Sequence, residues 1–83
     1  MTLLEKCIEV LAVLARTDDP NRIVLMERAV DDFANNSGAD DAAQYGALDD
    51  LAYTVASQRW DTEFATVIME YIAKQRDLRA TKD

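Results

Sequence analysis

TDDPNRIVLMERAVDDFANNSG, residues 17–38, contains one amphipathic helix between two turn signals. Asp19 before Pro20 predicts a helix cap and a first helical position, where the missing proline N–H costs nothing. The Asn-Asn-Ser-Gly run that ends the stretch tolerates left-handed backbone and predicts a loop. We therefore expect a helix over residues 20–35. Its inward residues would be Ile23, Met26, Ala29, Val30, Phe33 and Ala34.

The preceding segment predicts a first helix over residues 3–16. Thr2 and Glu5 match a capping box, in which a hydroxyl and a carboxylate bind free backbone N–H groups. The apolar stripe of this helix is unusually wide, so we expect helix 1 to be central in the fold. The stripe consists of Leu4, Cys7, Ile8, Leu11 and Ala15, widened on one side by Leu3, Val10 and Leu14.

Two more helices follow the loop, over residues 40–57 and 62–79. Asp61 or Thr62 can cap the last helix, although no glycine or proline enforces the break before it. Gly46 lies inside helix 3, where glycine costs about 1 kcal/mol relative to alanine, so we expect another helix to approach it closely. The residues expected to face inward are Tyr45, Leu48, Leu51, Ala52 and Val55 in helix 3, and Phe64, Val67, Ile68, Tyr71, Ile72 and Leu78 in helix 4.

These elements predict an all-α fold, a compact bundle of four antiparallel helices in one domain spanning residues 1–83. Residues 80–83 are expected to fray. A chain of 83 residues has a thin core, and we expect marginal monomer stability or a dimer.

The residue types exclude most catalytic chemistry. There is no histidine, so Cys-His pairs, Ser-His-Asp triads and the common zinc signatures cannot form. Residues 41–52 place Asp and Gly as a calcium loop requires, but the third, fifth and twelfth positions are Ala43, Tyr45 and Ala52 instead of oxygen ligands. A core this thin is also expected to offer no cavity of about 300 Å³. We expect no enzyme activity, no metal and no cofactor.

Cysteine usage and hydropathy bear on the compartment. Cys7 is the single cysteine, and its place on the apolar stripe predicts a buried, unreactive thiol. No disulfide can form within the chain, and the short apolar run in helix 1 cannot span a bilayer. We expect a cytoplasmic protein that does not enter a membrane.

The charge is strongly negative and uneven. Net charge is −7, which disfavours direct binding to nucleic acid or anionic lipid and favours a basic protein surface. Many of the acids are explained as helix caps or as solvated surface. The doublets Asp31-Asp32 and Asp49-Asp50 are not explained in this way, because aspartate at these helix positions costs stability. Between Ala29 and Gln58 there is no base and six aspartates: Asp31, Asp32, Asp40, Asp41, Asp49 and Asp50.

This cluster predicts a protein-binding module that engages a basic partner. The partner expected is a nucleic-acid-binding complex, blocked by an inhibitor or nucleic-acid mimic of the anti-restriction, anti-CRISPR, immunity or antitoxin type. No motif ties the chain to any of these groups.

The alternative is an apolar contact. Several apolar residues fall at or beyond the edges of the core stripes, where aromatic and methionine side chains are typical of interfaces. A homodimer built on them would make the chain a small structural or regulatory subunit. These residues are Val24, Leu25, Tyr53, Trp60 and Met69.

Overall fold

The computed structural model describes residues 1–80 and confirms the all-α class. Within this part the chain forms four helices and no strand. Every predicted helix is present, and each end lies within two residues of its predicted position. The helices are α1 (Leu3–Ala15), α2 (Arg22–Asn35), α3 (Asp41–Ala56) and α4 (Thr62–Arg79). Residues 81–83 of the segment expected to fray lie outside the described residues.

Side-chain caps begin three of the helices. The Glu5 N–H donates to Thr2 Oγ1 and the Thr2 N–H donates to Glu5 Oε1, each over 3.0 Å, which confirms the predicted capping box. The Asp40 carboxylate accepts from the Ala43 N–H at 2.8 Å. Asp61 accepts in the same way from the third residue of α4 at 3.2 Å. These bonds satisfy backbone donors that have no partner inside the helix.

The start of α2 differs from the prediction. The helix begins at Arg22, and Pro20 lies in the preceding turn. Asp19 is not the cap, because its carboxylate accepts from the Asn21 N–H at 2.8 Å and so stabilises the turn. Arg22 then donates to the Thr17 carbonyl at 3.1 Å, with its guanidinium 4.6 Å from the centre of the Phe64 ring. This tertiary contact holds the turn in place.

One continuous apolar core joins all four helices. It contains Cys7, Leu11 and Leu14 from α1, Met26, Val30, Phe33 and Ala34 from α2, Leu48, Leu51, Ala52 and Val55 from α3, and Phe64, Ile68 and Ile72 from α4. No polar or charged residue of the described part is fully buried with them.

The prediction that helix 1 is central is wrong. α2 and α3 each pack against all three other helices, whereas α1 packs mainly on α2 and less on α3. Two neighbours cover only part of a wide apolar stripe. Leu3 and Val10, counted with that stripe in the sequence, therefore remain 45% and 47% exposed.

Three further expectations for α3 and α4 are wrong. Tyr45 and Leu78 are exposed. They lie near the end of the fold where Arg79 Nε donates to Gln44 Oε1 at 2.8 Å, so polar side chains make the α3–α4 contact there. No helix approaches Gly46, since a Cβ added to it would meet no heavy atom within 4 Å.

Candidate protein-binding surface

The structure does not gather the two aspartate doublets into one exposed cluster. Asp31 accepts from the Tyr71 hydroxyl, with O–O distances of 2.8 and 2.9 Å to its two oxygens. Asp49 forms an ion pair with Arg76 Nη1 at 2.7 Å. Both partners belong to α4, so one acid of each doublet is bound within the chain.

The other acids lie on different sides. Asp32 lines a groove between α1 and α2, while its neighbour Asp31 points to α4. Asp50 is exposed on α3. Adjacent residues of a helix differ by about 100° in direction, which explains why each doublet divides.

The remaining two predicted acids begin α3. Asp40 caps that helix, and Asp41 is exposed in its first turn. A carboxylate at a helix start is favoured by the helix dipole without any partner. Three of the six aspartates, Asp31, Asp40 and Asp49, thus bind a partner within the chain, whereas Asp32, Asp41 and Asp50 are exposed.

Burial and the contact with Asp31 make the Tyr71 phenol less acidic. Burial, followed by the hydrogen bond to Asp31 and the negative charges of Asp31 and Glu27, raises the pKa of Tyr71 to about 12. The hydroxyl thus remains a proton donor at neutral pH, and it links α2 to α4 across 40 positions of the sequence.

An apolar groove of about 360 Å³ lies between α1 and α2. This volume exceeds the limit expected from the sequence, because the groove is open to solvent at the surface and is not an enclosed cavity in the core. Its lining is dominated by apolar side chains: Leu3, Val10 and Leu14 from α1, and Leu25, Ala29 and Phe33 from α2.

Three charged residues line the same groove. Lys6 comes from α1, and Arg28 and Asp32 come from α2. All three are exposed. Bases thus outnumber acids here, in contrast to the net charge of −7 for the whole chain. The groove is therefore mainly apolar, with both positive and negative side chains along it.

Cys7 contributes to the floor of the groove. The residue is buried, and burial raises the pKa of its thiol to about 11. Its Sγ lies 3.8 Å from the Ala29 carbonyl oxygen, the acceptor of a weak hydrogen bond across the α1–α2 contact. The predicted burial of Cys7 is confirmed. A protonated thiol is a poor nucleophile, so the group acts here as a small apolar side chain.

The five apolar residues of the alternative prediction do not form one surface. Only Leu25 lines the groove. Val24 and Tyr53 are 60% and 82% exposed on α2 and α3. Trp60 and Met69 are half-buried against the core and line a separate open depression of about 530 Å³.

Leu3 and Val10 were missed as surface residues. Their helical spacing matches a core stripe, and no feature of the sequence distinguishes a stripe covered by two helices from one covered by three. The one signal in the sequence is the excessive width of the α1 stripe, which reflects apolar residues that reach the surface and not a central position of the helix.

Within residues 1–80, no group of three or more acidic or cysteine side chains is placed to hold a metal ion. No helix in that part has the length and apolar character needed to cross a membrane. Comparison with known proteins found no matching family model, no matching curated protein and no matching solved structure.

Proposed function

We propose that this chain is a non-enzymatic protein-binding module that receives a helix of a polypeptide partner in the groove between α1 and α2. The observation that carries the proposal is the apolar lining of this groove, with exposed Leu3 and Val10 on one wall and Leu25 on the other. A helix laid in such a groove would bury these side chains, and burial of apolar area favours association.

The physical basis is the wide stripe of α1. One side of it packs into the core through Leu11 and Leu14, while Leu3 and Val10 continue the stripe to the surface. Full burial of a side chain of this size from water contributes about 1.5–3 kcal/mol, so covering the exposed half of Leu3 or Val10 contributes about half of that. A partner helix laid in the groove would cover these two side chains.

Affinity capture from the native host, with paired substitutions, tests the proposal. Val10→Asp places a carboxylate in the groove, and we expect it to release the captured polypeptide. Val24→Asp is the matched control, because Val24 is as apolar and as exposed but does not line the groove. Equal capture by the wild type and both variants would contradict the proposal.

A second candidate function is the binding of a basic protein surface, as an inhibitor or mimic of nucleic acid. It is supported by the scarcity of internal neutralisation: within residues 1–80, Arg76–Asp49 is the one ion pair of a chain with 16 acids. Asp41 and Asp50 are exposed, and their side chains make no hydrogen bond within that part. Free carboxylates raise the rate of encounter with a basic surface.

The dependence of binding on salt concentration distinguishes the two candidate functions. Binding through carboxylates should weaken steeply as salt rises, and the double variant Asp41→Asn, Asp50→Asn should lose affinity. Glu9→Gln with Glu70→Gln is the matched control, since it removes two exposed charges elsewhere. Capture that is insensitive to salt and to both double variants would exclude the electrostatic candidate and leave the groove.

A further inference from the structure

We infer that the occupant of the α1–α2 groove is a second copy of this chain, bound across a two-fold axis. The inference rests on the proposed function, because it names the partner of the same groove. Three properties of the face that contains this groove support the inference: its charge, its shape and its place on the thin core.

Charge restricts where two copies can meet. Each copy carries a net charge of −7, so like-charge repulsion opposes contact over most of the surface. The groove differs from the rest of the surface, because one acid, Asp32, lines it together with two bases, Lys6 and Arg28. Two grooves that face each other therefore bring together fewer like charges than two acidic faces would.

The charges are also self-complementary. In a two-fold interface the same patch meets itself, so a residue of one copy contacts different residues of the other copy. Asp32 of each copy can then accept from Lys6 or Arg28 of the other. Two such sets of pairs form for every dimer, and they fix the register of the contact.

The shape of the face fits the same arrangement. Val10, which lines the groove, and Val13 are both exposed and lie three residues apart on α1, so they form a short ridge on this helix. Side-chain ridges of one helix pack into the grooves of another. A face that carries both a ridge and a groove can pack on its own copy, with α1 of each chain entering the groove of the other.

The packing of α1 within the chain explains why contact with a second copy would stabilise the fold. α1 packs mainly on α2 and less on α3, and its apolar residues Leu3, Val10 and Val13 remain exposed. A chain of 83 residues has little core to stabilise it. α1 of a second copy would supply the missing neighbour.

The first test is the solution mass of the full chain, by sedimentation equilibrium over a wide range of concentration. We expect a dimer of twice the 9.3 kDa chain mass. Val10→Asp should raise the dissociation constant about 100-fold or more, because a carboxylate would be buried in an apolar contact. Val24→Asp should leave the dissociation constant unchanged. A wild type that is monomeric at every concentration would overturn the inference, as would a dimer that Val10→Asp leaves intact.

The second test uses charge exchange at the groove. One variant carries Asp32→Lys, which makes the three charges positive; the other carries Lys6→Glu and Arg28→Glu, which makes them negative. Each should be monomeric alone, and the mixture should form a heterodimer. All three residues are exposed, so circular dichroism should show both variants folded. Two variants that dimerise alone as well as the wild type, or a mixture without heterodimer, would refute the two-fold pairing.

The outcomes distinguish this inference from the proposed function. A monomeric wild type whose captured host polypeptide is released by Val10→Asp, and not by Val24→Asp, would overturn the second copy and support a foreign helix as occupant. A monomer with no capture dependent on Val10 would contradict both.

Discussion

Replacing Gly46 by alanine should stabilise the protein by about 1 kcal/mol. Glycine in a helix interior costs about this amount relative to alanine, because it loses more backbone freedom on folding. Gly46 is the sixth residue of α3. A Cβ added there would meet no heavy atom within 4 Å. There is thus neither a clash to subtract nor new burial to add, and the full helix-propensity difference should remain.

Equilibrium unfolding by urea, followed by circular dichroism, measures this difference directly. In a domain of this size a gain of about 1 kcal/mol corresponds to a rise in melting temperature of about 4–8 °C. Gly38→Ala is the contrasting variant, because its Cβ would overlap the Cβ of Ala43, a side chain with no rotamer to move away. We expect that variant to lose about 1 kcal/mol or more.

The result that would refute the reasoning is a neutral or destabilised Gly46→Ala. Such a result would mean that the outer face of α3 is in close contact with something besides solvent. If Gly46→Ala instead stabilised the fold while a partner was lost, the glycine would be required by binding and not by packing.

Three further outcomes follow from the buried and paired groups. Cys7 should react with a thiol reagent only slowly in the native protein, since its thiol is buried with a pKa of about 11; rapid complete labelling would show that α1 separates easily from α2. The Tyr71 phenol, whose pKa rises from 10.0 to about 12 on folding, should stabilise the fold fully below pH 10 and lose this contribution as pH rises from 10 to 12. Tyr71→Phe should flatten that part of the stability profile, and an unchanged profile would show that folding does not raise the pKa of Tyr71. Asp49→Asn should cost at most about 1 kcal/mol of unfolding free energy, because its ion pair with Arg76 is exposed to solvent; a larger loss would mean that the pair organises the α3–α4 contact.

The candidate site was only partly predictable. The sequence pointed to Leu25 as an edge residue, and the structure places it in the groove. The opposite wall could not be foreseen, because Leu3 and Val10 have the spacing of core residues in α1. Whether such residues are covered depends on how many helices pack against that side, which is a property of the whole fold.

The aspartates show the same limit on what the sequence can predict about contacts between helices. Its density along the chain is a fact of the sequence, but the direction of each carboxylate is not. Asp31 accepts a hydrogen bond from Tyr71, which is 40 residues away in the sequence. Asp49 accepts one from Arg76, which is 27 residues away. No local pattern reports a partner at that distance.

The amino-acid sequence by itself determined the all-α class, the number of helices, the caps of α1 and α4, the burial of Cys7 and the absence of histidine chemistry. These depend on interactions within a few residues or on composition, so local rules are sufficient for them. Only the tertiary structure decided that α2 and α3 have more neighbours than α1, that the aspartate doublets divide, and that an apolar groove lies open beside α1. Periodicity fixes the direction of a side chain around its own helix axis, whereas the identity of what it meets depends on how separate helices pack together.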